Sequence, residues 1–148
     1  MRIALAADHA GYVLKDELAA WLREQGHEAS DLGTNSPESV DYPDFGARLA
    51  RAVGSGEADR GVAVCGSGIG IAIAVNREPR CRCARVDDPL SSALAREHND
   101  ANVIALGARL IGGDMAKACV LAFLGTDFAG GRHQRRVDLL SSLLQDSD

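Results

Sequence analysis

An α/β fold is what this 148-residue sequence predicts: a doubly wound, Rossmann-like three-layer sandwich around a five-stranded parallel sheet. Three observations carry that reading. Strand-like and helix-like segments alternate five times along the chain. The most apolar strands fall in the middle of the series, as strands covered on both faces must. Polar and glycine-rich clusters follow the strands, and in such folds ligands bind at the carboxyl ends of strands near a switch in strand order. The length fits one domain over residues 1–148, enough to bury roughly two-thirds of the surface of the unfolded chain.

Arg2 to Ala7 is a short apolar strand ending in Asp8-His9-Ala10-Gly11. Leu14, Leu18, Trp21 and Leu22 recur at helical spacing with Gly26 as a stop, so a helix is placed from about Gly11 to Gln25. Glu28 to Leu32 reads as a second strand. Gly33 to Pro43, with Gly, Asn, Ser and two prolines, reads as a loop long enough to be functional, and Asp41 and Tyr42 stand near its end. Phe45, Leu49 and Ala52 mark a helix from Asp44 to about Val53, which Gly54-Ser55-Gly56 breaks. Val62-Ala63-Val64-Cys65 is the central strand; the turn Gly66-Ser67-Gly68-Ile69-Gly70 opens a helix that ends near Arg77-Glu78-Pro79. Cys81 to Val86 reads as the fourth strand. Asp88-Pro89 then caps a helix running to about His98, where Asn99-Asp100 ends it. Val103 to Leu106 is the fifth strand, Gly112 and Gly113 precede a helix across Ala116 to Leu124, and Arg132 to Leu144 reads as a terminal helix. This layout puts Asp8-His9, Cys65 with its glycines, Asp87 and the turns around Asn99 at or near the carboxyl edge of the sheet.

Composition narrows the function. The 46% hydrophobic and 25% charged residues are ordinary for a soluble globular chain. A formal charge of −5 argues against nonspecific nucleic-acid binding, which calls for a basic surface. No apolar segment approaches the ~20 residues that span a bilayer, so no membrane partner is expected. The N-terminus shows no signal-peptide pattern, and the protein is expected in the cytoplasm with its four cysteines as thiols. Cys81 and Cys83 alternate on one strand face more simply than they begin a metal site, so no metal is expected.

Cys65 stands where a strand ends and a helix begins. Unpaired N–H groups and nearby glycines there suit an anion or a developing oxyanion beside the sulfur. A tight turn with a structural cysteine fits the same residues. The dinucleotide fingerprint and the P-loop are both absent, so no nucleotide cofactor is expected. Arg132 and Arg136 are one helical turn apart and suit a phosphate clamp or a solvated basic face; Arg109 adds a third cation. His98 suits either a helix-dipole partner or a catalytic acid. Together a thiol base, an amide nest, a histidine and an arginine clamp point to proton abstraction next to the carbonyl of a phosphorylated sugar.

Ala7-Asp8-His9-Ala10-Gly11, Asp41-Tyr42-Pro43, Cys65-Gly66-Ser67-Gly68-Ile69-Gly70, His98-Asn99-Asp100-Ala101-Asn102-Val103 and Gly130-Gly131-Arg132-His133-Gln134-Arg135-Arg136 resemble segments of the ribose-5-phosphate isomerase B family, which also includes allose-6-phosphate and galactose-6-phosphate isomerases. The resemblance implies that Cys65 moves the proton between C1 and C2 while the amides of Gly66, Ser67, Gly68, Ile69 and Gly70 hold the enediolate. It implies that His98 assists ring opening, that Asp8, Tyr42 and Asn99 contact hydroxyls, and that His9, Arg109, Arg132 and Arg136 bind substrate, the arginines its phosphate. It further implies no metal or cofactor, and a homodimer or dimer of dimers with sites formed between subunits. Some members carry a glutamate just after the glycine turn, where this chain has Ile71, which takes no proton. Arg80-Cys81-Arg82-Cys83-Ala84-Arg85 departs from the family's usual apolar strand. A hexose 6-phosphate substrate and a noncatalytic phosphosugar sensor remain rival readings, whereas a cysteine phosphatase would want arginine inside the loop after the thiol.

Overall fold

The computed structural model describes residues 1–143. Strands β1 (Arg2–Ala7), β2 (Glu28–Asp31), β3 (Arg60–Cys65), β4 (Cys83–Arg85) and β5 (Val103–Gly107) form one parallel sheet in the order β2-β1-β3-β5-β4. The helices are α1 (Tyr12–Glu24), α2 (Tyr42–Gly54), α3 (Ile69–Val75), α4 (Pro89–Asn99), α5 (Gly113–Gly125) and α6 (Arg132–Ser142). The fold is the α/β three-layer sandwich that the sequence predicts.

Crossovers between parallel strands are right-handed, so the direction of each step across the sheet dictates the face its helix covers. The steps from β1 to β2 and from β4 to β5 run one way and place α1 and α4 on the same face as α5; the steps from β2 to β3 and from β3 to β4 run the other way and place α2 and α3 opposite. Period-two alternation sends Ile3, Leu5, Val62, Val64, Ile104 and Leu106 to the first face, against Leu14, Leu18, Leu22 and Phe123. Ala4, Ala6, Ala63, Cys65 and Ala105 point to the second, against Phe45, Leu49, Ile71 and Val75. Small residues also bring α2 and α3 together there. A Cβ on Gly46 would stand 2.8 Å from the Cβ of Ala74.

Two boundary differences from the sequence expectation have a local cause. Helix α2 begins at Tyr42 rather than Asp44, because Pro43 fits the first helical turn and so belongs to the helix, not to the loop. The fourth strand is Cys83–Arg85 rather than Cys81 to Val86: the Cys81 amide turns to Glu78 O and the Arg82 amide to Asn102 Oδ1, which takes both out of the ladder. Cys81 and Cys83 still pack against the same core, on the α2 and α3 face. The terminal helix is described to Ser142, and Leu144 lies outside the described residues.

The turn around Asn99 is the larger correction. A helix connecting parallel strands runs back against them, so α4 delivers His98 and Asn99 to the amino edge of the sheet, just before β5. The five residues of β5 separate them from the carboxyl edge by about 16 Å.

Candidate active site

The chain leaves β1 toward β2 and returns to β3 on the other side, so the switch in strand order opens a crevice between the carboxyl ends of β1 and β3. A cleft of about 310 Å³ lies there, lined by Asp8, Tyr42, Cys65, Gly66, Ser67, Gly70, Arg109 and Leu110. A larger hollow of about 420 Å³ beside α6 holds Cys81, Cys83 and Asn99. Burial pushes the Cys81 thiol up to about 11 and the Cys83 thiol higher still, so neither is poised as a base near neutral pH. The smaller cleft gathers Cys65, its glycine turn, Asp8, Tyr42 and Arg109 at the strand ends.

Cys65 is buried, and the turn after it is pinned by three consecutive carbonyls. Cys65 O accepts from the Ala108 amide at 2.9 Å, Gly66 O from the Arg109 amide at 3.0 Å, and Ser67 O from Arg85 Nε at 2.9 Å. A trans peptide places its N–H opposite its C=O. Holding those carbonyls toward β5 and β4 therefore turns the amides of Gly66, Ser67 and Gly68 the other way. The Gly68 amide donates to Cys65 Sγ at 3.1 Å and the Ile69 amide to Ser67 Oγ at 3.2 Å, while those of Gly66 and Ser67 have no acceptor among the described residues. Because α3 has only seven residues, these individual amides matter more than a helix macrodipole.

Two glycines are fixed by this geometry. Gly68 has φ of +76°, and a Cβ there would lie 2.9 Å from the Leu106 carbonyl carbon. A Cβ on Gly70 would lie 2.7 Å from the Tyr42 ring, which packs on the glycine. Ile71, next along, is fully buried in the core under α2 and α3.

Asp8 Oδ1 accepts from the Ala10 and Gly11 amides at 3.0 and 3.1 Å, which fixes the start of α1. His9 Nδ1 accepts from the Val40 amide at 3.1 Å, so the neutral ring carries its proton on Nε2. The loop that supplies Val40 is held at its other end by Lys15, whose fully buried ammonium donates to Asp16, Asp31 and Asn35. Helical spacing shows where Lys15 lies but not that its charge is buried.

The remaining candidates stand apart. Arg132 and Arg136 are exposed on α6, one turn from each other as expected. The His98 ring stacks on His133 with centroids 4.4 Å apart and planes at 14°. In the sequence His133 is only one residue of the Gly130-to-Arg136 segment; its pairing with His98 is a tertiary contact. One chain thus joins Asp8, Tyr42, Cys65, the glycine turn and Arg109, with His9 next to Asp8, and leaves His98, Asn99, Arg132 and Arg136 elsewhere.

Shielding from water, then the nearby His98, Arg132 and Arg136 charges, hold His133 below its ordinary value of 6.5. A histidine with a depressed pKa stabilises the fold above its unfolded value and loses that contribution as pH falls through the folded one. Proton NMR should show the His133 ring titrating below the ordinary histidine range, with the contact of α6 to α4 loosening on acidification. An ordinary or raised midpoint would contradict this.

Among the described residues no three or more His, Cys, Asp or Glu side chains stand close enough to hold a metal ion, and no helix is long and apolar enough to cross a membrane. The pattern of the ribose/galactose isomerase family matches residues 3–140. Ribose-5-phosphate isomerase B of Escherichia coli is 44% identical over 144 residues, 97% of each chain. The structure of ribose-5-phosphate isomerase B from Clostridium thermocellum superposes with a TM-score of 0.98 at 46% identity, covering 100% of both chains. That of the Mycoplasma genitalium enzyme with bound ribulose-5-phosphate gives 0.94 at 35% identity, over 98% of this chain and 97% of the other. With the fold and nearly the full length in agreement, this chain belongs to the ribose/galactose isomerase family.

Proposed function

We propose that this protein interconverts ribose 5-phosphate and ribulose 5-phosphate by ring opening and a cis-enediolate proton transfer, in the cytoplasm where phosphorylated pentoses are held. The observation that carries this reading is Cys65 Sγ in the switch-point cleft, beside two amides with no acceptor of their own among the described residues. As base, the Cys65 thiolate takes the proton from C2 of the open-chain aldose. The C2–H electron pair forms the C1–C2 double bond as the carbonyl pair moves to O1. The thiol then returns its proton to C1, while the O2 proton passes to O1 and O2 becomes the ketone. Negative charge develops on the enediolate oxygens, where the Gly66, Ser67 and Gly70 amides can meet it. The amides of Gly68 and Ile69 are already engaged by Sγ and Ser67 Oγ. This chemistry needs neither metal nor cofactor.

In this reading Asp8 and Tyr42 meet sugar hydroxyls, His9 contacts the substrate beside them and Arg109 takes part in holding its phosphate. His98 for ring opening, Asn99 for a hydroxyl, and Arg132 and Arg136 for the phosphate then come from a second copy of the chain, because they lie at the other edge of the sheet. The active unit is a homodimer or a dimer of such dimers. Exposed apolar side chains, Ile69 and Ile73 on α3 and Leu139, Leu140 and Leu143 at the end of the chain, supply surface for that association.

An assay of ketose formation from ribose 5-phosphate and from allose 6-phosphate, with a chelator present, tests the reading. Turnover of the pentose phosphate is expected to exceed that of the hexose phosphate and to survive chelation. A preference for the hexose phosphate moves the substrate; binding without turnover of either makes the protein a sensor.

A further inference from the structure

Arg85 lies in the polar stretch Arg80-Cys81-Arg82-Cys83-Ala84-Arg85, which stands where the family resemblance expects an apolar strand. The turn after Cys65 folds over the end of β5: a Cβ on Gly107 would lie 2.7 Å from the Ser67 carbonyl, and that close approach brings Ser67 within reach of β4. Arg85 Nε donates to Ser67 O at 2.9 Å, and its Nη1 pairs with Asp87 Oδ2 at 2.6 Å, which orients the guanidinium. The Ser67 carbonyl and the Gly68 amide belong to one peptide group, and that amide donates to Cys65 Sγ at 3.1 Å.

We propose that Arg85 is a positioning residue for the base: through the Ser67–Gly68 peptide it holds the backbone donor that, among the described residues, is bonded to the reactive sulfur. The inference rests on Cys65 being the base. Of the three carbonyl anchors of the turn, two are backbone amides that any sequence would supply, and Arg85 is the one side chain. Its bond is also charge-assisted, hence stronger than a neutral one. Polarisation of the peptide adds only about 10–30% to the second bond, so the effect is chiefly one of aim. Without Arg85 the peptide loses its carbonyl anchor and the Gly68 amide is less firmly aimed at the sulfur. Around the sulfur stand Asp8 from the end of β1, Tyr42 from α2 and Arg109 from beyond β5; none of them donates to Sγ.

The test compares Arg85→Met, which keeps most of the stem, with Arg85→Lys, which keeps a cationic donor. For Arg85→Met, kcat is expected to fall about tenfold with KM for ribose 5-phosphate unchanged, the size of one lost charge-assisted hydrogen bond. The pH midpoint for iodoacetamide alkylation of Cys65, located by mass spectrometry, is expected to rise by about one pH unit, the same tenfold. Arg85→Lys is expected to recover part of both. Cys81 and Cys119, pushed up to about 11, and Cys83, higher still, stay largely unreactive over that range. If Arg85→Met folds poorly, Asp87→Asn loosens the same guanidinium and is expected to move both readouts in the same direction by less. Wild-type kcat together with a wild-type alkylation midpoint overturns the proposal, as does a change confined to KM. The alkylation arm decides even if the wild-type protein proves not to isomerise ribose 5-phosphate, since it reads the sulfur directly.

Discussion

Replacing Cys65 with alanine is expected to lower ribose 5-phosphate turnover by about 10²- to 10⁴-fold, the usual worth of a positioned acid–base group. KM is expected to stay within a few-fold of wild type, because phosphate binding is assigned to other residues. Exchange of the C2 proton with deuterated solvent should disappear along with turnover. The substitution is a clean probe: Cys65 is 4% exposed, and alanine keeps the Cβ while removing only the sulfur. Near-normal turnover in this variant would show that the base is another group.

The second large effect concerns the division of the site. With the site shared between two subunits as proposed, the Cys65→Ala and His98→Ala proteins are each expected to be nearly inactive, since every site then lacks either the proposed base or the proposed ring-opening histidine. Coexpressed in equal amounts, the two chains should recover about a quarter of wild-type turnover: random pairing makes half the dimers mixed, and a mixed dimer has one intact site of two. A mixture no more active than its parents would mean that Cys65 and His98 do not meet across subunits. His98 and Asn99 sit at the amino edge of the sheet and Cys65 at the carboxyl edge, so a site formed within one chain would need α4 to be rebuilt.

The sheet was legible in the sequence because its information is local. Alternation in β1 and β3, the Gly26 stop and the Asp88-Pro89 cap each act within a few residues, and the observed elements follow them closely. The weakest strands, β2 and β4, lie at the two edges, where one side lacks a neighbour and apolar pressure is lowest. The cysteine and glycine motif marked the cleft for the same local reason. What the sequence did not reveal is tertiary. The stacking of His98 on His133, the buried ammonium of Lys15 and the reach of Arg85 to Ser67 join residues 35, 16 to 20 and 18 positions apart, respectively, with no shared period. Asn99 marks a turn in the sequence but not which edge the turn belongs to, because α4 runs opposite to the strands and carries it to the amino edge.

The unequal side chains on the two faces of the sheet make tolerance to substitution directional. Under α1, α4 and α5, where Leu and Phe fill the space, shrinking a residue leaves a void costing about 2–5 kcal/mol, while modest exchanges among large aliphatics are absorbed. Under α2 and α3, where alanines and Gly46 set the spacing, enlargement is the damaging change, since an added methylene has nowhere to go. Cys65 belongs to the second layer. Its sulfur also opens on the cleft, so a bulkier acid–base side chain at that position has room only toward the cleft, at the expense of the space left for substrate.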